Sequence, residues 1–373
     1  MIARQCLKFG TRIWQDRHPE IGQSVTREPM QKLLFFGTER YALPILRPLA
    51  AAARARGLQV RWFLHQVDAS HLAEGEHQLR STDAVSAYQP DVVYAASNWV
   101  PPFFPGLKVQ LFHGFSVDKR SEGKGHYRIR GLFDLYCTQG PETTSRFEQL
   151  AAEHGHFRVA ETGWTKLDPM FRPGSQASLD LIAAAGRKVV LFGSTFSARL
   201  SAAPALLSPL RQMIARGDYY WLLTLHPKCS PALFASYRAL AGDNAQFVES
   251  DRLIELMRAA DVLLADTTSL VSEFVLQHKP VVTFRNAAPK AHMLDVSNDD
   301  EIAAALQLAL GEDNGARMAA LRAYADHIHP YRDGRSSERV LDATAEALRF
   351  PPAQRKPWNL WRRLQIRQRM GWR

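Results

Sequence analysis

The sequence contains little cysteine and no hydrophobic run long enough to cross a membrane. Its three cysteines, Cys6, Cys137 and Cys229, lie far apart among 373 residues, which fits neither a disulfide framework nor a metal site. No apolar stretch approaches the ~20 residues of a transmembrane helix, and no signal-peptide pattern is present. Internal repeats and low-complexity tracts are also lacking. We therefore expect a cytoplasmic protein with reduced thiols.

Acidic residues are few relative to basic ones. The chain has 47 Lys and Arg against 37 Asp and Glu, which gives a formal net charge of +10. This balance favours anionic partners such as phosphorylated substrates, nucleic acid or the acidic inner leaflet of a membrane. Hydrophobic residues make up 46% of the chain and charged residues 23%, which is typical of a globular protein. The length allows two domains.

Short apolar runs alternate with helical segments, and the alternation starts again in the second half of the chain. The predicted strands are 33–36, 58–64, 91–95, 109–112, 188–192, 220–225, 245–248, 261–265 and 280–284, and the predicted helices include 251–258 and 269–277. Such alternation indicates βαβ units and parallel sheets. We predict an α/β protein with two doubly wound, Rossmann-like domains that face a central cleft.

Four parts are predicted along the chain. A basic leader covers residues 1–30, an N-terminal domain 31–160, a C-terminal domain 161–347, and a basic, tryptophan-containing tail 348–373. The boundary between the domains is placed just before the segment Glu161-Thr162-Gly163-Trp164.

In doubly wound folds, ligands bind at the carboxyl ends of the strands. The residues that follow the predicted strands are Gly37-Thr38, His113-Gly114, Gly193-Ser194-Thr195, His226-Pro227 and Asp266-Thr267-Thr268-Ser269. We expect the functional site among them.

The cluster Thr267-Thr268-Ser269 lies between an apolar strand and a helix. Its hydroxyls and the free N–H groups of the helix N-terminus could bind a phosphate. Serine and threonine are also ordinary N-cap residues, a role that needs no ligand. On this pattern alone, both interpretations remain open.

Two histidines follow predicted strands. His113 could act as a general base near neutral pH, or it could be a loop histidine that hydrogen-bonds to the backbone. His226 is followed by Pro227 and Lys228, and this cluster could bind a phosphate oxygen, although the proline alone explains the end of the strand.

The order of these segments resembles the CDP-glycerol glycerophosphotransferase family. The similar segments are 111–114, Glu161-Thr162-Gly163-Trp164 with Asp168, 225–227, the stretch 260–269 with Glu273-Phe274 and 279–282, and 333–340. The resemblance implies a GT-B fold whose C-terminal domain holds the nucleotide donor. It also implies that an acceptor hydroxyl attacks the β-phosphorus of the donor, with CMP as the leaving group.

The resemblance also implies roles for individual residues. His113 would be the catalytic base or would position the acceptor, together with Gly37, Thr38 and Gly114 on the acceptor side. His226 would contact the donor phosphates as a second catalytic residue. The remaining donor-binding candidates are Gly193, Ser194, Thr195, Lys228, Asp266, Thr267, Thr268, Ser269 and Glu273.

Within this set, Glu273 could bind a ribose or could simply favour the helix N-terminus. Phosphoryl transfer depends on positioning and charge stabilisation, which histidines, hydroxyls and helix dipoles can supply. We therefore predict neither a metal nor another cofactor.

The tail from Arg355 to Arg373 carries seven Lys or Arg residues, no acidic ones, and Trp358, Trp361 and Trp372. Basic residues mixed with tryptophan suit a helix in the interface of an anionic membrane. The alternatives are a solvated tail, or a helix that packs its tryptophans on the N-terminal domain. We predict peripheral contact at the inner face of the cytoplasmic membrane, and no nucleic-acid binding, because no recognition motif accompanies the charge.

These observations lead to one function and two alternatives. The first hypothesis is transfer of glycerol phosphate, or a related polyol phosphate, from a CDP-activated donor to a glycan or lipid-linked acceptor of a cell-envelope polymer. The second is a GT-B glycosyltransferase or UDP-sugar epimerase. The third is a non-catalytic protein that binds an anionic polymer or membrane.

Overall fold

The protein consists of two parallel sheets flanked by helices. The computed structural model describes residues 30–115, 127–172, 186–311 and 314–371. Over these residues the chain forms two six-stranded sheets in which every neighbouring pair of strands is parallel. This arrangement confirms the predicted α/β class. The predicted leader, apart from Met30, lies outside the described residues.

The first sheet is built from the N-terminal part of the chain. Its strands are β1 Lys32–Gly37, β2 Gln59–Leu64, β3 Val92–Ala95, β4 Leu107–Gln110, β5 Leu135–Thr138 and β6 Arg158–Glu161, in the order β2-β1-β3-β4-β5-β6. Alternate residues face opposite sides, so the Phe35 ring contacts Trp62 and Tyr94 on one face. On the other face, Phe36 contacts Phe63. Both faces are apolar because helices cover both.

The second sheet repeats this design. Its strands are β7 Val189–Ser194, β8 Tyr220–Leu225, β9 Ala245–Phe247, β10 Val262–Ala265, β11 Val281–Phe284 and β12 Met293–Val296, in the order β12-β11-β10-β7-β8-β9. The chain runs from β7 outward to β9 and then returns to β10 on the other side of β7. This reversal places a topological switch point between β7 and β10, where a doubly wound sheet opens a crevice for ligands.

The helices lie on the faces and edges of the sheets. They are α1 Ala42–Ala55, α2 Thr82–Tyr88, α3 Pro141–His154, α4 Asp168–Phe171, α5 Ala203–Arg216, α6 Pro231–Arg238, α7 Leu253–Ala259, α8 Leu270–Phe274, α9 Ile302–Leu310, α10 Gly315–Ile328, α11 Ser336–Arg349 and α12 Leu360–Arg369. Among the described residues, none of these helices is long and apolar enough to cross a bilayer.

Two predicted elements are wrong in their extent. The run 109–112 was expected to be a strand throughout, but β4 ends at Gln110, and Phe112 adopts a left-handed backbone with φ 53°. The helix expected over 269–277 is the five-residue α8, followed by a single 3-10 turn at Val275–Gln277. Both differences concern segments that leave the sheet edge, where packing rather than local preference fixes the backbone.

The C-terminal helices return to the first sheet. Val340 and Leu341 of α11 belong to the same buried cluster as Leu33 and Phe35 of β1. The carboxylate of Asp168, which follows the predicted domain boundary, accepts hydrogen bonds from the backbone of α11, as described below. The interval 161–347, predicted as the C-terminal domain, therefore includes a helix that packs against the N-terminal sheet.

Candidate active site

Asp266 organises the carboxyl edge of the second sheet at the switch point. Its carboxylate accepts hydrogen bonds from Ser194 Oγ at 2.5 Å, from the Thr195 N–H at 3.0 and 3.1 Å, and from the Ala202 N–H at 2.9 Å. The residue is fully buried. Burial raises the pKa of Asp266, and the hydrogen bonds, led by that of Ser194, oppose this. Asp266 and Ser194 thus fix the loop between β7 and α5, and these contacts occupy their polar atoms.

Gly193 allows α8 to lie directly over the end of β7. A Cβ atom at this position would be 2.4 Å from Cδ2 of Leu270, the first residue of α8. Such a separation is far shorter than van der Waals contact, so a side chain here would force the Leu270 side chain, or the helix that carries it, to move. Gly193, predicted as a donor-binding residue, has a packing role in this structure.

The three hydroxyls before α8 differ in their surroundings. Thr267 Oγ1 accepts the Ala287 N–H at 2.9 Å, which ties it to the loop after β11. Thr268 Oγ1 accepts the Leu270 N–H at 3.4 Å, a long capping contact. Ser269 is exposed and makes no capping hydrogen bond. Ser269 is therefore the hydroxyl with the best access to a ligand at this edge.

His226 lies at the end of β8, beside Phe196 and Lys228. Its Nδ1 accepts the Lys228 N–H at 3.1 Å, so the proton of the neutral ring is on Nε2. Burial, and then the Lys228 charge, lowers the pKa of His226. The Phe196 ring, 47% exposed, lies 4.4 Å from the imidazole and 5.4 Å from the Lys228 ammonium. The cluster presents an N–H donor and an ammonium group, which suits an anion.

His113 follows the strained residue Phe112 at the edge of the first sheet. Phe112 is buried with φ 53°, and its carbonyl accepts the Trp164 Nε1–H at 3.3 Å. A positive φ is unfavourable for a bulky residue and persists only where packing enforces it. The Tyr41 ring lies 5.2 Å from the His113 ring. Trp164 therefore holds the backbone that orients His113.

The other acceptor-side candidates are Thr38, Gly37 and Gly114. Thr38 is buried and interacts with the Tyr41 hydroxyl, and burial raises the pKa of Tyr41. Gly37 lies close to Leu64, whose Cδ2 would be 2.9 Å from a Cβ atom at position 37. Gly114 has open space where a Cβ atom would be, and its carbonyl accepts a hydrogen bond from Gln139 at 3.3 Å.

Glu273 connects the two halves of the molecule. Its Oε2 lies 2.6 Å from Nζ of Lys166, and both side chains are largely buried. The Lys166 ammonium also lies 5.0 Å from the Trp164 ring. Contacts therefore run from the His113 loop through Trp164 and Lys166 to α8. Glu273 was predicted to bind a ribose or to favour the helix N-terminus. The ion pair with Lys166 is a third interaction, which the sequence did not predict.

The family model of CDP-Glycerol:Poly(glycerophosphate) glycerophosphotransferase matches residues 114–346, well over half of the chain. The chain belongs to this family. The match begins at Gly114, directly after His113, and includes His226, Asp266 and Ser269.

A curated relative agrees with the family. The teichoic acid glycerol-phosphate primase of Bacillus subtilis (strain 168) is 22% identical over 167 residues, which are 44% of this chain and 43% of the primase. The aligned part thus spans less than half the length of this relative.

Solved structures show the same fold at low sequence identity. A variant of the wall teichoic acid polymerase TagF with CDPG superposes with a TM-score of 0.63 at 13% identity, over 85% of this chain and 89% of that one. The S. aureus MnaA–UDP structure gives 0.61 at 15% identity, over 86% and 97%. UDP-GlcNAc 2-epimerase from Neisseria meningitidis, bound to UDP-GlcNAc, gives 0.60 at 12%, over 85% and 100%. These similarities confirm the GT-B fold.

Several residues of this glycerophosphotransferase-family site were missed by the sequence analysis. Tyr41, Phe196 and Lys166 were not singled out, because an exposed aromatic ring or a lysine outside a motif gives no local signal. Trp164 and Asp168 were noticed only as parts of a motif. Within the described ranges, no three His, Cys, Asp or Glu side chains are grouped so that they could hold a metal ion.

Proposed function

We propose that this protein transfers glycerol phosphate, or a related polyol phosphate, from a CDP-activated donor to a hydroxyl of a glycan or lipid-linked acceptor during synthesis of a teichoic-acid-like polymer. Membership of the glycerophosphotransferase family supports the reaction class. The switch point between β7 and β10 is the expected place for the donor. The edge of the first sheet around His113 faces the acceptor.

The proposed reaction breaks the phosphoanhydride bond of the donor and forms a phosphate ester bond to the acceptor. The acceptor oxygen forms a bond to the β-phosphorus of the donor, and the bond from that phosphorus to the bridging oxygen breaks. The hydroxyl proton passes to the imidazole of His113, and CMP leaves with the bridging oxygen. Hydrogen-bond donors that meet the developing charge lower the barrier. His226 Nε2–H and the Ser269 hydroxyl are the donors we assign to this role.

The observation that carries this assignment is the hydrogen bond from the Lys228 N–H to His226 Nδ1. Because Nδ1 accepts this hydrogen bond, the imidazole is a neutral ring with its proton on Nε2, and Nε2–H is a donor. A phosphate oxygen accepts such a proton, whereas the opposite tautomer would present a lone pair to it. The exposed Ser269 adds a second donor beyond the end of β10, which β7 separates from the His226 strand β8.

Calorimetry with CMP, CDP-glycerol and UDP tests this proposal. We expect the cytidine nucleotides to bind more tightly than UDP, and the Ser269→Ala variant to lose about tenfold in affinity, since a hydrogen bond to a charged group contributes about 1.5 kcal/mol or more. His113→Ala should keep the affinity for CMP and abolish transfer to acceptor. Loss of CMP binding in His113→Ala would contradict these roles, and so would a CMP affinity of Ser269→Ala equal to that of the native protein.

A uridine-dependent reaction is the second candidate. The structural similarity to UDP-bound MnaA and to UDP-GlcNAc 2-epimerase favours it, although a likeness at 12–15% identity concerns the fold alone. Preference for UDP in the same titration would support a sugar transferase or epimerase. If none of the three nucleotides bound, a non-catalytic protein for anionic polymer or membrane would be the better explanation.

We also propose that the protein works at the inner face of the cytoplasmic membrane, where a lipid-linked acceptor would be found. The basic, tryptophan-containing tail supports this location. No nucleic acid is proposed as a partner.

A further inference from the structure

Helix α12 has two different faces. At about 100° per residue, Leu360, Trp361 and Leu364 share one side of the helix, and Ile366 and Met370 lie on the opposite side. Ile366 is buried, and with Met370 it packs against the apolar cluster of the first domain. The exposed fractions of Leu360, Trp361 and Leu364 are 58%, 71% and 47%. The tail is thus docked on the protein and leaves an apolar stripe facing solvent.

This arrangement bears on the alternatives predicted for the tail. Trp358 and Trp361 do not pack on the N-terminal domain, because they are 76% and 71% exposed, and Trp372 lies outside the described residues. The helix is held instead by Ile366, by an ion pair of 2.7 Å between Lys356 and Asp134, and by a hydrogen bond from Arg362 to the Arg130 carbonyl. A fully solvated tail is excluded by the same contacts.

Docking of the tail brings positive charges together around a small cavity. The residues that line it include Arg130, Lys356, Arg362 and Arg363, together with Gly131 and Pro357. Lys356 is paired with Asp134. Among the described residues, no carboxylate lies within ion-pair distance of Arg130, Arg362 or Arg363.

Three guanidinium groups with no carboxylate among them create a positive potential that attracts an anion, although Arg130 and Arg362 each donate one hydrogen bond to a backbone carbonyl. Arg130 is half-buried, and burial, followed by the charges of Arg128 and Arg362, lowers its pKa. Guanidinium groups bind phosphate oxygens through paired N–H donors. The cavity therefore has the chemistry of a phosphate site.

We propose that this cavity, between loop 130–132 and the tail, binds the phosphate of an anionic phospholipid head group while the apolar stripe of α12 enters the bilayer interface. Trp358 and Trp361 suit that depth, since tryptophan is favoured at the boundary between head groups and acyl chains. Arg363 joins the two parts, because it lines the cavity and its guanidinium lies 5.7 Å from the centroid of the Trp358 ring. The site is separate from the donor site.

Vesicle binding by the full chain tests the proposal without any nucleotide or turnover. The vesicles are phosphatidylcholine alone, or phosphatidylcholine mixed with phosphatidylglycerol. The two matched variants are Arg363→Gln, in the cavity lining, and Arg355→Gln, an exposed tail cation outside it. Loss of any surface cation weakens binding to anionic vesicles by about fivefold. We expect that loss for Arg355→Gln and about tenfold or more for Arg363→Gln, because it also removes a direct phosphate contact.

Two further measurements separate the sources of the phosphate. We expect Trp361→Ala to weaken binding to both kinds of vesicle, and soluble glycerol phosphate to bind far more weakly than anionic vesicles. Equal losses of affinity for Arg363→Gln and Arg355→Gln would contradict phosphate binding in the cavity. Equal binding to neutral and anionic vesicles would contradict an anionic phospholipid as the ligand. Tight binding of soluble glycerol phosphate with no effect of Trp361→Ala would assign the cavity to a soluble phosphate instead. Unchanged thermal unfolding of the two arginine variants serves as the folding control.

Discussion

At the scale of single residues, the ability of a side chain to bind a ligand depends on whether its polar atoms already form hydrogen bonds within the protein. Asp266, Ser194 and Thr267 direct their side-chain oxygens to protein N–H or O–H groups. Ser269 is exposed, and the Nδ1 atom of His226 accepts the Lys228 N–H, which leaves the proton on Nε2. Residues that are adjacent in sequence therefore have different roles, since an engaged oxygen stabilises the loop and an exposed one can meet a ligand.

The neighbours Thr267 and Ser269 should respond differently to loss of the hydroxyl. Thr267→Val removes the acceptor of the Ala287 N–H and is expected to lower the free energy of unfolding by about 1 kcal/mol. Ser269→Ala is expected to leave unfolding unchanged and to weaken CMP binding. Urea unfolding and calorimetry on both variants check this. The reverse pattern, a stability loss in Ser269→Ala with normal CMP affinity, would reject the assignment.

The sequence predicted the positions of these residues but not their division of roles. Each candidate follows a strand, and strand ends can be recognised from apolar runs. Whether an aspartate points into the loop or into the cleft depends on Ser194 and Ala202, 72 and 64 residues away in the chain. Local sequence carries no information about such contacts.

At the scale of elements, α8 is a short helix held in place by its neighbour. Its five residues give only a small aligned dipole, because a macrodipole grows from successive aligned peptide units. Anion binding at its start would therefore rely on the Ser269 hydroxyl and individual N–H groups. Its position is set by the absence of a side chain at Gly193, against which Leu270 packs.

Substitution of Gly193 should displace α8. We expect Gly193→Ala to cost about 1–3 kcal/mol of stability through overpacking and to weaken CMP binding as the helix moves. Leu270→Ala removes the clashing methyl group and costs about 2–5 kcal/mol alone as a cavity. The double variant should be less destabilised than the sum of the two, with a coupling of about 0.5–3 kcal/mol in unfolding experiments. If the two losses of unfolding free energy simply added in the double variant, the contact between positions 193 and 270 would not limit their packing.

The strands that the sequence analysis missed are short or lie at an edge. Strands β5 and β6 have four residues each, β6 is only partly buried, and β12 is an edge strand with an exposed Asp295. Strands as short as β3 and β10 were recognised as continuous apolar runs, whereas β5, β6 and β12 contain polar residues such as Thr138, Arg158 and Asp295 that interrupt such a run. Their pairing with a preformed neighbour, as β12 pairs with β11, makes them strands.

At the scale of the whole molecule, buried contacts tie the two halves together near the cleft. The Asp168 carboxylate accepts the Ser336 N–H and the Ser337 N–H, each at 2.8 Å, and the Ser337 hydroxyl. His329 Nε2 accepts the Trp164 N–H at 3.0 Å. These contacts connect the segment after β6 to the start of α11, so the relative position of the two sheets depends on them.

His329 should make stability sensitive to acid. Burial, and then the Arg339 charge, lowers the pKa of His329 to about 3, whereas a histidine in the unfolded chain titrates near 6.5. Above this value the ring is neutral in both states and the full stability is present. Below it the unfolded chain binds the proton first, so folding stability falls by about 1.4 kcal/mol per pH unit until the folded protein titrates.

The urea midpoint at pH 7 and at pH 5 measures this effect. We expect His329→Gln, whose amide oxygen can accept the Trp164 N–H but does not titrate, to lose about 2 kcal/mol less than the native protein between the two pH values. His77→Gln, which removes an exposed histidine, is the control and should behave as the native protein does. An equal loss in His329→Gln and the native protein would show that this imidazole does not cause the acid sensitivity.

The sequence by itself determined the fold class, the family and the positions where chemistry-bearing residues leave the strands, because apolar periodicity and motif order are local properties of the chain. Tertiary structure alone decided which of those residues face a ligand, since that depends on hydrogen bonds between residues far apart in the chain. It also decided that the tail docks through Ile366 and leaves Trp358 and Trp361 exposed. A helix has two faces, and only the surface on which it packs determines which face remains in solvent.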